Sequence, residues 1–168
     1  MLAPTPLAID CFAGAGGLSL GLVRAGFAIG AAFDFDEPAT RTYAKNLGPH
    51  MLFAAAQHLT GAALLRHAGR RSCELLAGGP PCQGFSRQRR GDDDDDRNGL
   101  VLEFLRLVDE VRPVVFLMEN VAAIGGARGK SVLVKLFAKA ATAGYRVSHA
   151  VLDAADFGVP QHRRRMFF

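Results

Sequence analysis

The fold can be inferred first from residues 7–17, LAIDCFAGAGG, where a short apolar run passes directly into a glycine-rich turn. Residues 7–12 have the length and composition of a buried strand, and residues 18–25 have the apolar spacing of a helix that ends at Gly26. A strand, a glycine turn and a helix in this order are typical of the first unit of a parallel α/β sheet.

The same alternation of strands and helices continues along the chain. The patterns predict further helices at residues 37–46, Gly61–His67, Gly99–Val111 and 132–143. They predict further strands at residues 27–33, 51–55, 73–77, 114–118 and 145–152, with a last one beginning at 165–168. We therefore expect a Rossmann-like α/β fold, an open and mostly parallel sheet with helices on both faces, in one domain of residues 1–168.

The composition is that of a folded, soluble protein, with 49% hydrophobic and 21% charged residues. No apolar run reaches the roughly 18 residues that a membrane span needs, and no signal peptide precedes the first strand. We therefore expect a cytoplasmic protein without a membrane partner. The net charge is +4, with arginine clusters within residues 87–90 and 163–165. Such clusters suit phosphate contacts, although a solvated surface explains them equally well.

The three cysteines are Cys11, Cys73 and Cys82, and no pair has CxxC spacing. A metal site is therefore not expected. Cys11 and Cys73 fall inside predicted strands, where a cysteine acts as a small core hydrophobe. Cys82 follows two prolines that turn the chain rigidly out of its strand, so we expect an exposed thiol whose ionisation is favoured by the arginines after it. The alternative is an inert cysteine in a loop.

The unusual residues of the chain fall at the predicted carboxyl ends of four strands, where a parallel sheet binds its ligands. The glycine pattern is GxGG and not the GxGxxG of dinucleotide sites, which favours a nucleoside without a pyrophosphate. Asp34, at the end of the second strand, is placed to bind ribose hydroxyls, although it fits equally as an acid at a helix N-terminus. Together these features favour an adenosine-containing cofactor. The strand-end residues are Phe12 with Gly14-Ala15-Gly16-Gly17, Asp34-Phe35-Asp36, Pro80-Pro81-Cys82-Gln83 and Glu119-Asn120.

Glu119 ends an apolar strand, where a carboxylate is costly to bury unless another group pairs with it. A buried carboxyl group at this position would be a competent proton donor at neutral pH. The alternative is a helix-capping or turn residue, a role that Asn120 beside it would fill equally well.

Taken together, four segments of the chain resemble the cytosine-C5 DNA methyltransferase family. The Pro-Cys-Gln and Glu-Asn-Val segments in this order, with a QxRxR pattern downstream, are highly specific, and the resemblance extends from about Leu7 to the last residue. The segments are residues 10–17 (DCFAGAGG), 78–86 (GGPPCQGFS), 118–121 (MENV) and 155–165 (ADFGVPQHRRR).

The resemblance implies a mechanism for methyl transfer. The target cytosine is flipped out of double-stranded DNA, and the thiolate of Cys82 attacks C6 of its ring. Glu119 holds and protonates N3, while Arg165, with Arg163, binds the base. C5 takes its methyl group from S-adenosylmethionine, and residues 84–97 form a mobile loop that closes over the base. The resemblance implies that Phe12, Gly14 and Gly16 bind the cofactor. It assigns the ribose of the cofactor to Asp34 and the adenine to Phe35, and it implies that Leu100 lines the same pocket.

The chain departs from the family pattern in several places. The family usually has glutamate at the position of Asp34, and it usually has an acid after the third strand, where residues 53–57 read FAAAQ. Five aspartates at residues 92–96 would be repelled by DNA phosphates. The family also continues past the QxRxR segment into a target-recognition region. We therefore expect a truncated product, a decayed copy, or one part of a split enzyme that a second polypeptide completes with that region.

Two other functions fit the sequence. The first is a tRNA cytosine-C5 methyltransferase of the same family, since the motifs alone do not separate DNA from tRNA. The second is an inactive remnant that binds nucleic acid or a partner subunit. Intact catalytic motifs argue against long decay.

Overall fold

The computed structural model of the protein describes residues 5–81 and 99–168. The chain forms two compact units. Unit one comprises Met1–Gly79 and Arg106–Leu117, and unit two comprises Pro80–Leu105 and Met118–Phe168. Cys82 and the predicted loop at 84–97, with its arginines and aspartates, lie outside the described residues. Within the described ranges, no helix is long and apolar enough to cross a membrane.

Unit one contains a parallel group of strands. β1 (Leu7–Cys11) lies between β2 (Ala28–Asp34) and β4 (Leu75–Gly78), and β3 (Met51–Phe53) lies on the other side of β2. β1 is buried along its whole length, as expected of a central parallel strand. The strand after β4 is β5 (Val115–Val121), which begins in unit one and continues into unit two. The glycine turn therefore follows a strand that is buried along its whole length.

Unit one has three complete helices, each beginning at a residue suited to that position. Asp36 caps α2 by accepting a hydrogen bond from the backbone N–H of Ala39 at 2.8 Å, and Thr60 caps α3 in the same way. Gly16 precedes α1 with a φ of 98°, which favours glycine. The helices are α1 (Gly17–Arg24), α2 (Glu37–Leu47) and α3 (Gly61–His67), and the next helix, α4 (Gly99–Val111), is divided between the two units.

Unit two contains an antiparallel group of strands. β7 (Arg164–Phe167) lies between the second part of β5 and β6 (Ala150–Asp153), and it is antiparallel to both. α5 (Lys130–Thr142) precedes β6. The backbone of Phe168 exchanges two hydrogen bonds with that of Met118, at 2.9 and 3.0 Å. Backbone hydrogen bonds therefore hold Phe168 against β5.

The predicted α/β fold is confirmed, with corrections to several elements. The strand predicted at 145–152 is too long, since only Ala150–Asp153 pairs with a neighbour. The fifth strand extends to Val121 because β7 pairs with its last three residues. Glu119 and Asn120 therefore lie within β5 and not after it. Cys73 lies just before β4 and not inside a strand, although it is buried as predicted.

Candidate active site

The glycine turn after β1 has an unusual backbone. Phe12, Gly14 and Gly16 all have positive φ, at 59°, 53° and 98°. The turn is closed by hydrogen bonds from the N–H of Ala13 to the carbonyl of Phe33 at 3.0 Å, and from the N–H of Gly16 to the carbonyl of Ala13 at 2.9 Å. A Cβ atom on Gly14 would meet no heavy atom within 4 Å. A ligand can therefore approach the main chain closely at Gly14.

Asp34 joins the glycine turn to the segment that begins α2. Its Oδ2 accepts a hydrogen bond from the N–H of Gly14 at 2.8 Å, and its Oδ1 accepts one from the N–H of Asp36 at 2.9 Å. Asp36, and not Asp34, is the helix cap. A carboxylate has about four lone-pair sites in all, so both oxygens of Asp34 retain acceptor capacity for a ribose. Its role toward a ribose stays a prediction.

Aromatic and apolar side chains accompany the turn. Phe35, directly after β2, is 57% exposed, so its ring is available to a ligand. Phe12 is half-buried, with its ring centroid 5.3 Å from that of Phe33. An open glycine turn, an exposed ring and a carboxylate fit an adenosine-containing cofactor. Leu100 lies in the first turn of α4, is half-buried and belongs to unit two, and its role in the pocket stays a prediction.

The segment directly after β3, residues 54–59, contains no acidic side chain and is held by Arg106. Ala56–His58 form a short 3-10 helix, and Nη2 of Arg106 donates to the carbonyls of Ala56 and Leu59 at 2.9 and 3.0 Å. Gln57 in this segment is exposed. The chain therefore offers an amide in the region where the family pattern has an acid.

The two described cysteines are unsuited to nucleophilic chemistry. Burial raises the pKa of Cys73 to about 11 and that of Cys11 well above its ordinary value. A thiol acts as a nucleophile through its thiolate, so neither is active at neutral pH. In residues 5–81 and 99–168, no three His, Cys, Asp or Glu side chains form a group that could hold a metal ion.

Glu119 and Arg165 form an ion pair in unit two. Nε of Arg165 lies 3.0 Å from Oε1 of Glu119, and the two side chains are 25% and 24% exposed. The antiparallel register places Glu119 opposite Phe167 and Val121 opposite Arg165. Glu119 and Arg165 are thus diagonal neighbours on one face, within reach of long side chains. The partner that the sequence required for a carboxylate at this position is Arg165.

Asn120 has a role that the sequence interpretation did not identify. It is 3% exposed, and its Nδ2 donates to the carbonyl of Pro80 at 2.9 Å, while its Oδ1 accepts from the N–H of Val121 at 2.9 Å. The amide therefore holds the chain two residues before Cys82. The sequence placed Asn120 at the strand end and within the MENV segment, with capping as an alternative, but gave no sign of its hydrogen bond to Pro80.

Arg163 is placed by its backbone. Its N–H donates to Oδ1 of Asp153 at 2.9 Å, and its side chain is exposed. The pKa of Asp153 is held below its usual range by hydrogen bonds from the N–H groups of Ala155 and Arg163. A hydrogen bond from His162 and the charge of that ring lower it further. The structure thus brings Arg165 to Glu119, while Arg163 remains a predicted base contact.

The family model of the C-5 cytosine-specific DNA methylases matches residues 7–168. The chain belongs to this family. A curated relative, the type II methyltransferase M.AgeI of Thalassovita gelatinovora, is 39% identical over 162 residues, which are 95% of this chain and 38% of the relative. M1.HphI of Haemophilus parahaemolyticus is 41% identical, with 95% of this chain and 44% of that protein covered.

Solved structures agree with this placement among the cytosine methylases. A structure described as a DNA modification methyltransferase encoded within an E. coli prophage has a TM-score of 0.85 and 35% identity, covering 97% of this chain and 45% of its own. The S. pombe Dnmt2 methyltransferase shares the fold, with a TM-score of 0.74 and 23% identity, and 96% and 49% of the two chains covered. The chain therefore spans less than half the length of the relatives named here.

The cytosine methylase motifs thus fall into two groups in the structure. Phe12, Gly14, Gly16 and Asp34 lie together in unit one, and Glu119, Asn120 and Arg165 lie together in unit two. All of these residues could be named from the sequence, and their roles in binding and catalysis stay predictions. The sequence did not predict the hydrogen bond between Asn120 and Pro80, or the buried polar residues behind the glycine turn.

Proposed function

We propose that the protein containing this chain transfers a methyl group from S-adenosylmethionine to C5 of cytosine in double-stranded DNA. The observation that carries the proposal is the Glu119–Arg165 pair at 3.0 Å, with Asn120 of the same strand bonded to Pro80. This arrangement places a carboxyl group, a guanidinium group and the backbone of Pro80, two residues before Cys82 in the sequence, within one unit. Family membership supports the same reaction.

The chain's own residues supply the nucleophile and the proton chemistry. The thiolate of Cys82 adds to C6 of a flipped cytosine and forms a carbon–sulfur bond, which pushes an electron pair toward C5. Glu119 holds a proton at N3, which favours this addition. Arg165 fixes the orientation of Glu119 and, with Arg163, binds the base. After methylation, C5 loses its proton and the bond to Cys82 breaks, which regenerates the thiolate and the aromatic ring.

The cofactor role is assigned to the glycine turn and its neighbours. When bound, S-adenosylmethionine supplies the methyl group that C5 accepts. Phe12, Gly14 and Gly16 would hold it through the open backbone, Asp34 would bind its ribose, and Phe35 would stack on its adenine. Leu100 would contribute apolar contact. A nucleoside cofactor without a pyrophosphate agrees with a GxGG turn.

The test is covalent capture on duplex DNA that contains 5-fluorocytosine, in the full-length protein or assembly that contains this chain. A fluorine at C5 cannot leave as a proton does, so the Cys82–C6 bond persists and the complex survives a denaturing gel. Cys82→Ala should abolish capture, whereas Cys73→Ala, which removes a buried thiol, should retain it. Capture that persists in Cys82→Ala would exclude the assigned nucleophile. Methylation of tRNA without methylation of DNA would instead support the RNA substrate.

A further inference from the structure

A chain of buried hydrogen bonds lies behind the glycine turn in unit one. Oδ2 of Asp10, a fully buried residue of β1, lies 2.6 Å from Oγ of Ser19 in α1. Ser19 Oγ lies 2.8 Å from the hydroxyl of Tyr43 in α2, and that hydroxyl lies 3.0 Å from Nε2 of His50. Four side chains on four segments are therefore connected through three hydrogen bonds.

This chain of hydrogen bonds bears directly on the glycine turn. A Cβ atom on Gly16 would lie 2.3 Å from Cδ1 of Leu47 and 2.9 Å from Cδ2 of Tyr43, so the Tyr43 ring is packed against the backbone of Gly16. The Tyr43 ring also meets the His50 ring edge-on, with centroids 5.5 Å apart. The hydroxyl bonds fix where the Tyr43 ring lies, and the ring limits where the turn can lie.

We propose that Tyr43 is a positioning residue for the nucleoside cofactor, and that the direction of its hydrogen bonds is set by the charge of Asp10. The first half rests on the proposed function of the glycine turn. The second half concerns only the side chains of unit one and stands without a cofactor.

Asp10 is suited to changing its charge near neutral pH. Burial and, to a smaller extent, the nearby charge of Asp34 raise the pKa of Asp10 to about 7, against the opposing effect of hydrogen bonds from the side chain and backbone of Ser19. The other titratable groups near Asp10 are the Tyr43 hydroxyl and the buried Cys11 thiol. Oδ1 of Asp10 has no hydrogen-bond partner among the described residues.

The ionised form of Asp10 sets the direction of proton donation in all three hydrogen bonds. A carboxylate only accepts, so Ser19 must donate its single hydroxyl proton to Oδ2. Ser19 then accepts from Tyr43, and Tyr43, having donated its only proton, accepts from Nε2–H of His50. His50 is therefore held as the Nε2–H tautomer.

Protonation of Asp10 reverses that direction. A proton on Oδ1 would be buried without an acceptor, which costs about 1–3 kcal/mol, whereas a proton on Oδ2 can be donated to Ser19. Ser19 then donates to Tyr43, and Tyr43 donates to Nε2 of His50, which must be the Nδ1–H tautomer. Burial and the charge of His67 lower the pKa of His50, which favours the neutral ring that both tautomers require.

The test of the hydrogen-bond chain is the 15N spectrum of the histidine rings between pH 6.5 and 8.5 in the full-length protein or assembly that contains this chain, with His50 assigned by His50→Gln. His50 should change from Nδ1–H to Nε2–H with a midpoint near pH 7. Tyr43→Phe keeps the ring against Gly16 but removes the hydroxyl, so the tautomer should no longer respond to pH. Ser19→Ala breaks the chain one bond earlier and should give the same loss. A single tautomer throughout in the wild type, or a change that persists in both variants, would overturn the proposal.

The positioning role is tested by calorimetric titration of the same full-length protein or assembly with S-adenosylhomocysteine. Tyr43→Phe removes the hydroxyl whose hydrogen bonds to Ser19 and His50 fix the ring against Gly16. A loss worth about one net hydrogen bond should weaken binding roughly fivefold. Thr42→Val removes a hydroxyl from the exposed side of the same helix and should leave affinity unchanged. Equal affinity in wild type and Tyr43→Phe would overturn the positioning role. If the wild type bound no S-adenosylhomocysteine, the proposed function of the turn would fail together with this role, while the histidine spectra would still decide the hydrogen-bond chain.

Discussion

The two units hold their functional residues by different means. In unit one, Phe12, Gly14 and Gly16 are placed by backbone conformation within one short turn, where all three have positive φ. In unit two, Asn120 reaches Pro80 across 40 residues of sequence, and Glu119 meets Arg165 through the register of two antiparallel strands. A site built by local conformation depends on the backbone, and one built by strand register depends on individual side-chain pairs. Substitutions in the glycine turn should therefore act first on stability, and those at the Glu119–Arg165 pair should act first on chemistry.

The largest effect on folding is expected from Gly16→Ala. An alanine there would be strained at a φ of 98° and would meet Leu47 and Tyr43 at 2.3 and 2.9 Å. Strain and overpacking together should lower the free energy of unfolding by about 2–4 kcal/mol. Gly14→Ala is the matched control, because Gly14 also has positive φ but an added Cβ atom would meet no heavy atom within 4 Å. This substitution should lower the free energy of unfolding by about 1 kcal/mol. Urea unfolding measures both, and equal losses would show that packing of α2 on the turn contributes little.

The sequence predicted what local patterns determine. The run at residues 7–17 contains its own strand, turn and helix signals, so β1, the turn and α1 were predicted to within one residue at most boundaries. Helices Gly61–His67 and Gly99–Val111 were predicted at their observed bounds. Their amphipathic spacing is complete within each segment, which is why no tertiary information was needed.

The remaining features depend on pairing between distant segments. The end of β5 could not be predicted from its own residues, because Glu119-Asn120-Val121 is extended by pairing with β7. The same pairing gives Glu119 its partner. The Asp10–Ser19–Tyr43–His50 chain was missed for a related reason, since each member alone is an ordinary polar residue in a strand, helix or loop. Only the fold brings their side chains together.

An intermediate effect is expected from Asn120→Ala. The substitution leaves the buried carbonyl of Pro80 without its donor at 2.9 Å, which should cost about 1–3 kcal/mol of folding free energy. Asn46→Ala is the control, because Asn46 donates a similar bond to Thr42 but is exposed, and it should cost under about 0.5 kcal/mol. Denaturant unfolding compares the two. If both losses were small, the position of Pro80 would not depend on Asn120, and covalent capture by Cys82 should then be unaffected.

The smallest effect on stability, with a disproportionate effect on chemistry, is expected at Glu119 and Arg165. Both side chains are about one quarter exposed, so solvent screening should limit their coupling in a double-mutant cycle of Glu119→Gln and Arg165→Met to about 0.2–1 kcal/mol. The Glu37–Arg41 pair on the exposed face of α2 is the control cycle. Glu119→Gln should nevertheless slow methyl transfer by roughly 100-fold or more, since it removes the proposed proton donor. The affinity for S-adenosylhomocysteine should change little, because the predicted cofactor residues lie mainly in unit one. A large loss of cofactor affinity in Glu119→Gln would contradict this division, because it would mean that a side chain of unit two supports cofactor binding as well as base chemistry.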